Sequence, residues 1–157
     1  MKKYFFLLLG ILCSSWALAE TSALSMPRIF ADHMVLQRDE SIDLWGTSAP
    51  KEKITAELNG QKKSARADAE GKWSVSLPAM PAGGPYTLTV KGEKERIVFT
   101  DVWLGEVWIC SGQSNMEFRL HTAMNAADEI ADAENYPLLR SFNVKQVMSH
   151  LPLDDVQ

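Results

Sequence analysis

The sequence predicts an antiparallel β-sandwich followed by the first strand–helix–strand unit of an α/β domain. Three observations predict it. Apolar residues recur with period two from Ile42 to Phe99, turn residues interrupt them at short intervals, and the period changes past Asp101. Alternation places one face of each strand on a core and the other in water. Short strands with turns every 8–12 residues or so are the pattern of an antiparallel sandwich.

The chain begins with a targeting pattern. Lys2 and Lys3 precede an apolar run from Tyr4 to Leu12, and Ala17-Leu18-Ala19 closes it with small residues. That order is the one of a secretory signal peptide, and the apolar run is shorter than the roughly 20 residues a membrane span takes. Cleavage is expected after Ala19, leaving Glu20 first and the protein periplasmic or secreted. A lipoprotein reading on Cys13 fits poorly, because Leu12 stands where a small residue is wanted. Losing the two leader lysines takes the net charge from −4 to −6. An acidic chain without a basic run argues against nucleic acid and anionic membranes as partners. Only Cys110 remains, so no internal disulfide can form. With 46% hydrophobic and 23% charged residues, the chain has the composition of a globular protein.

The strands follow in order. Ile42 and Leu44 alternate with polar residues; so do Ile54, Ala56 and Leu58; Trp73, Val75 and Leu77; Tyr86, Leu88 and Val90; and Ile97 and Phe99. Turn signals lie between them at Asn59-Gly60, Asp68 to Gly71, Pro81 to Pro85 and Gly92. Asn-Gly suits a type I′ hairpin turn, in which both central residues have positive φ. Val102 to Cys110 is nearly all apolar, as in a strand buried on both faces of a parallel sheet. Met124, Ala127, Ile130 and Ala131 mark a short amphipathic helix, capped near Asn125 and stopped before Pro137. Alternation at Leu138, Arg140, Phe142 and Val144 then predicts a second strand. One such unit cannot bury both faces of its strands, so the chain reads as the front of something longer. The expected divisions are a leader at 1–19, a sandwich at 20–100 and an incomplete second domain at 101–157.

Between the apolar run and the helix lies Gly112-Gln113-Ser114-Asn115-Met116. A hydroxyl at the carboxyl end of a buried strand sits where open α/β sheets place their ligands. A backbone N–H in such a turn can face a developing oxyanion. Met116 occupies the place where the G-x-S-x-G nucleophile elbow needs glycine, so spacing alone leaves loop and nucleophile both open. Gln113 and Asn115 suit fixing the turn through their side chains, and both are candidate substrate contacts.

Three segments carry a family resemblance: FADHMVLQRDE at Phe30–Glu40, DAEGKWSVSLPAMPAGGPYTLTV at Asp68–Val90, and DVWLGEVWICSGQSNMEFRL at Asp101–Leu120. In this order they resemble the N-terminal portion of the sialate O-acetylesterase family, a branch of the SGNH hydrolases. The resemblance implies a serine esterase with Ser114 as nucleophile and its own N–H as an oxyanion donor. It implies O-acetylated sialic acid or another acetylated sugar as substrate, and no metal or other cofactor. The SGNH base is a histidine in a late Asp-x-x-His. The residues three before His33, His121 and His150 are Phe30, Phe118 and Val147, so that block is absent here. The chain alone is expected to be nearly inactive. A non-catalytic β-sandwich module binding glycans or a partner is the alternative.

Other residues have plainer readings. Trp45, Trp73, Trp103 and Trp108 suit a strand core better than a sugar platform. Cys110 suits a small buried hydrophobe better than a reactive thiol. His121, seven residues after Ser114, has no role in the family pattern, and Glu117 belongs to the motif without a physical account.

Overall fold

The computed structural model describes residues 23–153, 155 and 156; the expected signal peptide lies outside the described residues. Among the described residues, seven strands form two sheets. They are β1 (Val35–Gln37), β2 (Ile42–Thr47), β3 (Lys53–Leu58), β4 (Gln61–Arg66), β5 (Lys72–Leu77), β6 (Gly83–Lys91) and β7 (Arg96–Gly105). Five make a sheet in the order β1-β7-β6-β3-β4, and β2 pairs with β5 in a second, smaller one. The antiparallel expectation holds for every pair except β1–β7, which is parallel, so the larger sheet is mixed. Parallel neighbours need a long crossover, which the chain from β2 to β6 supplies.

Period two builds the core. Ile42 and Leu44 from β2, and Trp73, Val75 and Leu77 from β5, join β3, β6 and β7 residues in one buried apolar cluster. Leu44, Ile54, Leu58, Leu88, Val90 and Val102 are completely buried. At about 1.5–3 kcal/mol for each fully buried large aliphatic side chain, this cluster is the main source of stability in a fold without disulfides. The turns at Asn59-Gly60, Asp68–Gly71 and Gly92 are those expected, whereas Gly83 to Pro85 of the expected Pro81–Pro85 turn already belong to β6. Asn59 and Gly60 have φ of 46° and 76° and join β3 to β4, pairing Leu58 with Gln61. In the Asp68–Gly71 turn, the Asp68 carboxylate accepts the Glu70 and Lys72 N–H groups at 3.0 and 2.7 Å.

Several elements differ from expectation, β1 among them, which no alternating run announced. β4 was invisible to periodicity because its residues, QKKSAR, are exposed or half-buried along their whole length. It is held by the hairpin and by pairing with β3 on one side only. The change of period at Asp101 is a β-bulge inside one strand. Leu88 pairs with Phe99 and Tyr86 with Val102, so three steps on β7 face two on β6, and Asp101 takes φ 52° at the extra residue. One inserted residue flips the inward set from Ile97 and Phe99 to Val102 and Leu104, which reads in the sequence as a new kind of strand.

The expected strand from Val102 to Cys110 is cut short at Gly105. The partners of β7 end there: Gln37 pairs with Gly105, and Gly83 with Leu104. Glu106 to Cys110 has no regular structure, and all five residues are exposed. Helix α1 (Ala126–Asp132) forms where predicted, but it buries no residue. Asn125 precedes it in the left-handed region and makes no side-chain cap. The strand expected across Leu138–Val144 is absent, since no neighbouring strand offers it a ladder. Of the expected strand–helix–strand unit, the described residues show the start of the first strand, Val102–Gly105 at the end of β7, and the helix, but not the second strand.

Candidate functional site

Two of the segments singled out in the sequence meet at one edge of the larger sheet. Val35, Leu36 and Gln37 of β1 lie beside Trp103, Leu104 and Gly105 of β7. Beyond that pair, side chains continue the contact. The Arg38 N–H donates to the Gly105 carbonyl at 3.0 Å, and its guanidinium reaches Glu106 Oε1 through Nε at 2.7 Å and Nη2 at 2.6 Å. Gln37 donates to Glu106 Oε2 at 3.3 Å and accepts the Val107 N–H at 2.9 Å. These bonds hold the Glu106 carboxyl below its ordinary range, chiefly through the Arg38 hydrogen bond and then that of Gln37.

A second polar node lies at the bulge. Asp101 Oδ2 accepts from His33 Nδ1 at 2.6 Å and from Arg140 Nη2 at 3.0 Å, while Oδ1 accepts Trp103 Nε1 at 2.7 Å. The Asp101 carboxyl is lowered by the His33 bond first and the Trp103 bond second. Nearby, Asp32 accepts both the backbone N–H and the hydroxyl of Thr100, at 2.6 and 3.0 Å, which lowers its carboxyl too.

Ser114 opens a short 3₁₀ turn, Ser114–Glu117, and is exposed together with Gln113 and Asn115. The first N–H of this segment to bond back is that of Met116, to the Gln113 carbonyl at 2.8 Å. The Ser114 N–H therefore precedes the turn's own hydrogen bonding, as the leading amides of any helical turn do. Glu117 accepts a hydrogen bond from the Gln146 amide, which links the serine turn to the C-terminal segment and gives this residue a structural role. Gln113 makes no side-chain cap on the turn. His33 is engaged by Asp101, and His121 lies on the next 3₁₀ turn, Leu120–Thr122, exposed. No hydrogen bond joins a histidine to the Ser114 hydroxyl among the described residues.

The tryptophans divide. Trp73 is buried at 3% exposure and belongs to the core. Trp103 is half-buried and anchored by its N–H. Trp45, packed edge-on against Phe30 with ring centroids 4.8 Å apart, is exposed, and Trp108 is 83% exposed; neither is core. Cys110 is likewise an exposed free thiol and not a buried hydrophobe, because the strand meant to bury it ends five residues earlier. Among the described residues, no cluster of three or more His, Cys, Asp or Glu side chains could hold a metal ion, and no helix is long and apolar enough to cross a membrane.

Gln37, Arg38 and Glu106 had no role in the sequence reading. Their signal was present as polar residues that end one apolar run, VLQRDE, and interrupt another, WLGEVW, but only the parallel pairing of those runs makes them neighbours.

No model of a known protein family matches the chain. Individual proteins do. Mouse sialate O-acetylesterase is 34% identical over 136 residues, which cover 80% of this chain and 25% of that protein. The human sialate O-acetylesterase is 34% identical over 134 residues, covering 78% and 26%. Among solved structures, a carbohydrate acetylesterase from Xanthomonas citri superposes with a TM-score of 0.80 at 38% identity, over 86% of this chain and 31% of that one. The chain thus spans about a quarter of the length of the curated relatives it matches. Over that quarter, the chain is a homologue of the sialate O-acetylesterases.

Proposed function

We propose that this chain is part of an exported, serine-dependent carbohydrate O-acetylesterase, with Ser114 as its nucleophile. The observation that carries the proposal is the placement of Ser114 at the head of an exposed turn, ahead of the first amide that the turn consumes. The relatives' names supply the reaction class, release of acetyl groups from sialic acids or other acetylated sugars. Gln113 and Asn115 flank the hydroxyl and are the proposed substrate contacts.

The chemistry follows from the residues. The Ser114 hydroxyl attacks the acetyl carbonyl and loses its proton to a base. The carbonyl oxygen becomes an oxyanion, which the Ser114 N–H can stabilise. Collapse expels the sugar hydroxyl and leaves an acetyl-serine, and water then releases acetate. None of the three histidines stands in an Asp-x-x-His, so we assign the base to polypeptide outside this sequence. The same polypeptide would extend the α/β SGNH unit from residue 101 onward. It would cover the apolar side chains that stand exposed past β7, among them Ile109 at 92% and Leu139 at 80%.

The test is acetate release from an O-acetylated sialic acid. In the full-length protein, Ser114→Ala should abolish release with the fold intact. The 157-residue chain should be nearly inactive, because removing one triad member from a serine hydrolase leaves only about 10³–10⁴-fold over water. An ordinary enzymatic rate from the isolated chain, lost on Ser114→Ala, would place the base within it and bring His121 into question. If Ser114→Ala leaves the full-length rate unchanged, the remaining reading is a glycan- or partner-binding β module.

A further inference from the structure

We infer that Gln37 and Arg38 are positioning residues for the segment that carries Ser114, gripping it at Gly105–Val107 where it leaves the sheet. The inference rests on the proposed role of Ser114 for its catalytic half alone. The backbone ladder of β7 stops at Gly105 because both neighbouring strands end there. From Glu106 to Gln113 no regular structure holds the chain, and every residue is exposed. A nucleophile reached through eight such residues has no fixed direction unless something outside the ladder holds the segment.

Two consecutive residues provide that hold. Arg38 fixes the Gly105 carbonyl by its backbone and Glu106 Oε1 by two guanidinium nitrogens. Gln37 uses both ends of its amide, the NH₂ on Glu106 Oε2 and the carbonyl oxygen on the Val107 N–H. Both Glu106 oxygens and the backbone on either side of Glu106 are thereby engaged. Asp39 steadies the arginine from the far side, accepting from Nη1 at 2.6 Å. An exposed ion pair alone contributes little. Here four hydrogen bonds and an ion-pair contact from two adjacent residues converge on three consecutive ones, and the planar guanidinium and amide restrict direction as well as distance. Gln37 is itself paired through β1, so the grip is anchored in the sheet. Displacing a reacting group by about 1 Å can cost on the order of a hundredfold in rate, so a hold at the root of the segment reads out at its tip.

The test uses the full-length protein and two independent readouts. Exchange of the Val107 amide, which Gln37 accepts, should speed up about tenfold in Arg38→Ala and in Gln37→Ala, with the β3 and β6 amides unchanged. In the same variants kcat for acetate release should fall about tenfold while KM stays within about twofold, and Arg38→Lys should fall between wild type and Arg38→Ala. Unchanged exchange at Val107, or a rise spread equally over the sheets, overturns the grip. Faster exchange with unaltered kcat overturns its catalytic purpose. The Ser114→Ala control separates the two ideas: activity that survives it removes the catalytic reading, and exchange then decides the grip by itself.

Discussion

Gly60 and Gly71 both hold positive φ, 76° and 82°, yet they stand in different surroundings. A Cβ on Gly60 would meet nothing within 4 Å, whereas one on Gly71 would lie 2.4 Å from the Ser48 carbonyl oxygen. That carbonyl belongs to backbone, and Ser48, fully buried, donates its own N–H to the Gly71 carbonyl at 2.8 Å, so neither partner can retreat easily. Gly60→Ala should therefore cost about 1–2 kcal/mol, the penalty of a left-handed residue alone. Gly71→Ala should cost more, because overpacking adds a further 1–3 kcal/mol or so to the same conformational penalty. Urea midpoints of the two variants check this; equal losses would mean that the Ser48 contact carries no weight. At the same scale, the sequence pointed to Ser114, Gln113 and Asn115 through their motif. Gln37, Arg38 and Glu106 escaped notice because their meaning lies in a contact between segments some 70 positions apart, which no local pattern encodes.

Among the elements, β4 and α1 show opposite failures of local signal. The polar QKKSAR stretch forms a strand because the Asn59-Gly60 turn returns the chain along β3, and six paired residues follow. Ala126–Asp132 has helix-favouring composition and forms a helix, but with seven residues and no buried face it has only local bonds to sustain it. Helices of that length are marginal without tertiary packing. Its amides should consequently exchange within a factor of ten or so of unstructured rates, while those of β3 and β6, paired on both sides, are protected far longer. Amide exchange measured residue by residue on the 157-residue chain distinguishes the two. Protection of α1 equal to that of β3 would show that the helix is packed in solution. The bulge at Asp101 belongs to this scale as well. Its carboxylate gathers His33, Trp103 and Arg140, so an irregularity in one strand becomes a junction of three segments.

At the scale of the whole chain, burial is divided unevenly. The buried cluster is drawn from Leu24 to Leu104, and beyond Gly105 the apolar side chains are mostly exposed. Ile109 at 92% and Met148 at 100% are the extreme cases. Exposed apolar residues in such density fit the proposal that further polypeptide covers them. The proposed export belongs to this scale, since an extracytoplasmic acetylated sugar would be met only after translocation. N-terminal sequencing of the protein recovered from outside the cytoplasm should begin at Glu20, and a cytoplasmic product retaining Met1 would contradict it.

Patterning by itself determined the β portion. Period two in five runs, together with Asn59-Gly60 and the Asp68–Gly71 turn, specified β2, β3, β5, β6 and the first half of β7, and which of their faces is buried. These signals are local, because a strand's two faces alternate residue by residue and a turn's φ angles belong to the turn itself. Three segments in order, the one around Ser114 among them, likewise pointed to the family. Only the tertiary structure decided that β1 joins β7 in parallel, that β7 passes through a bulge at Asp101, and that the apolar run after Gly105 leaves the sheet. The physical reason is common to all three. A strand lasts only as long as a neighbour offers it hydrogen bonds, and the neighbour is chosen by residues far away in the sequence.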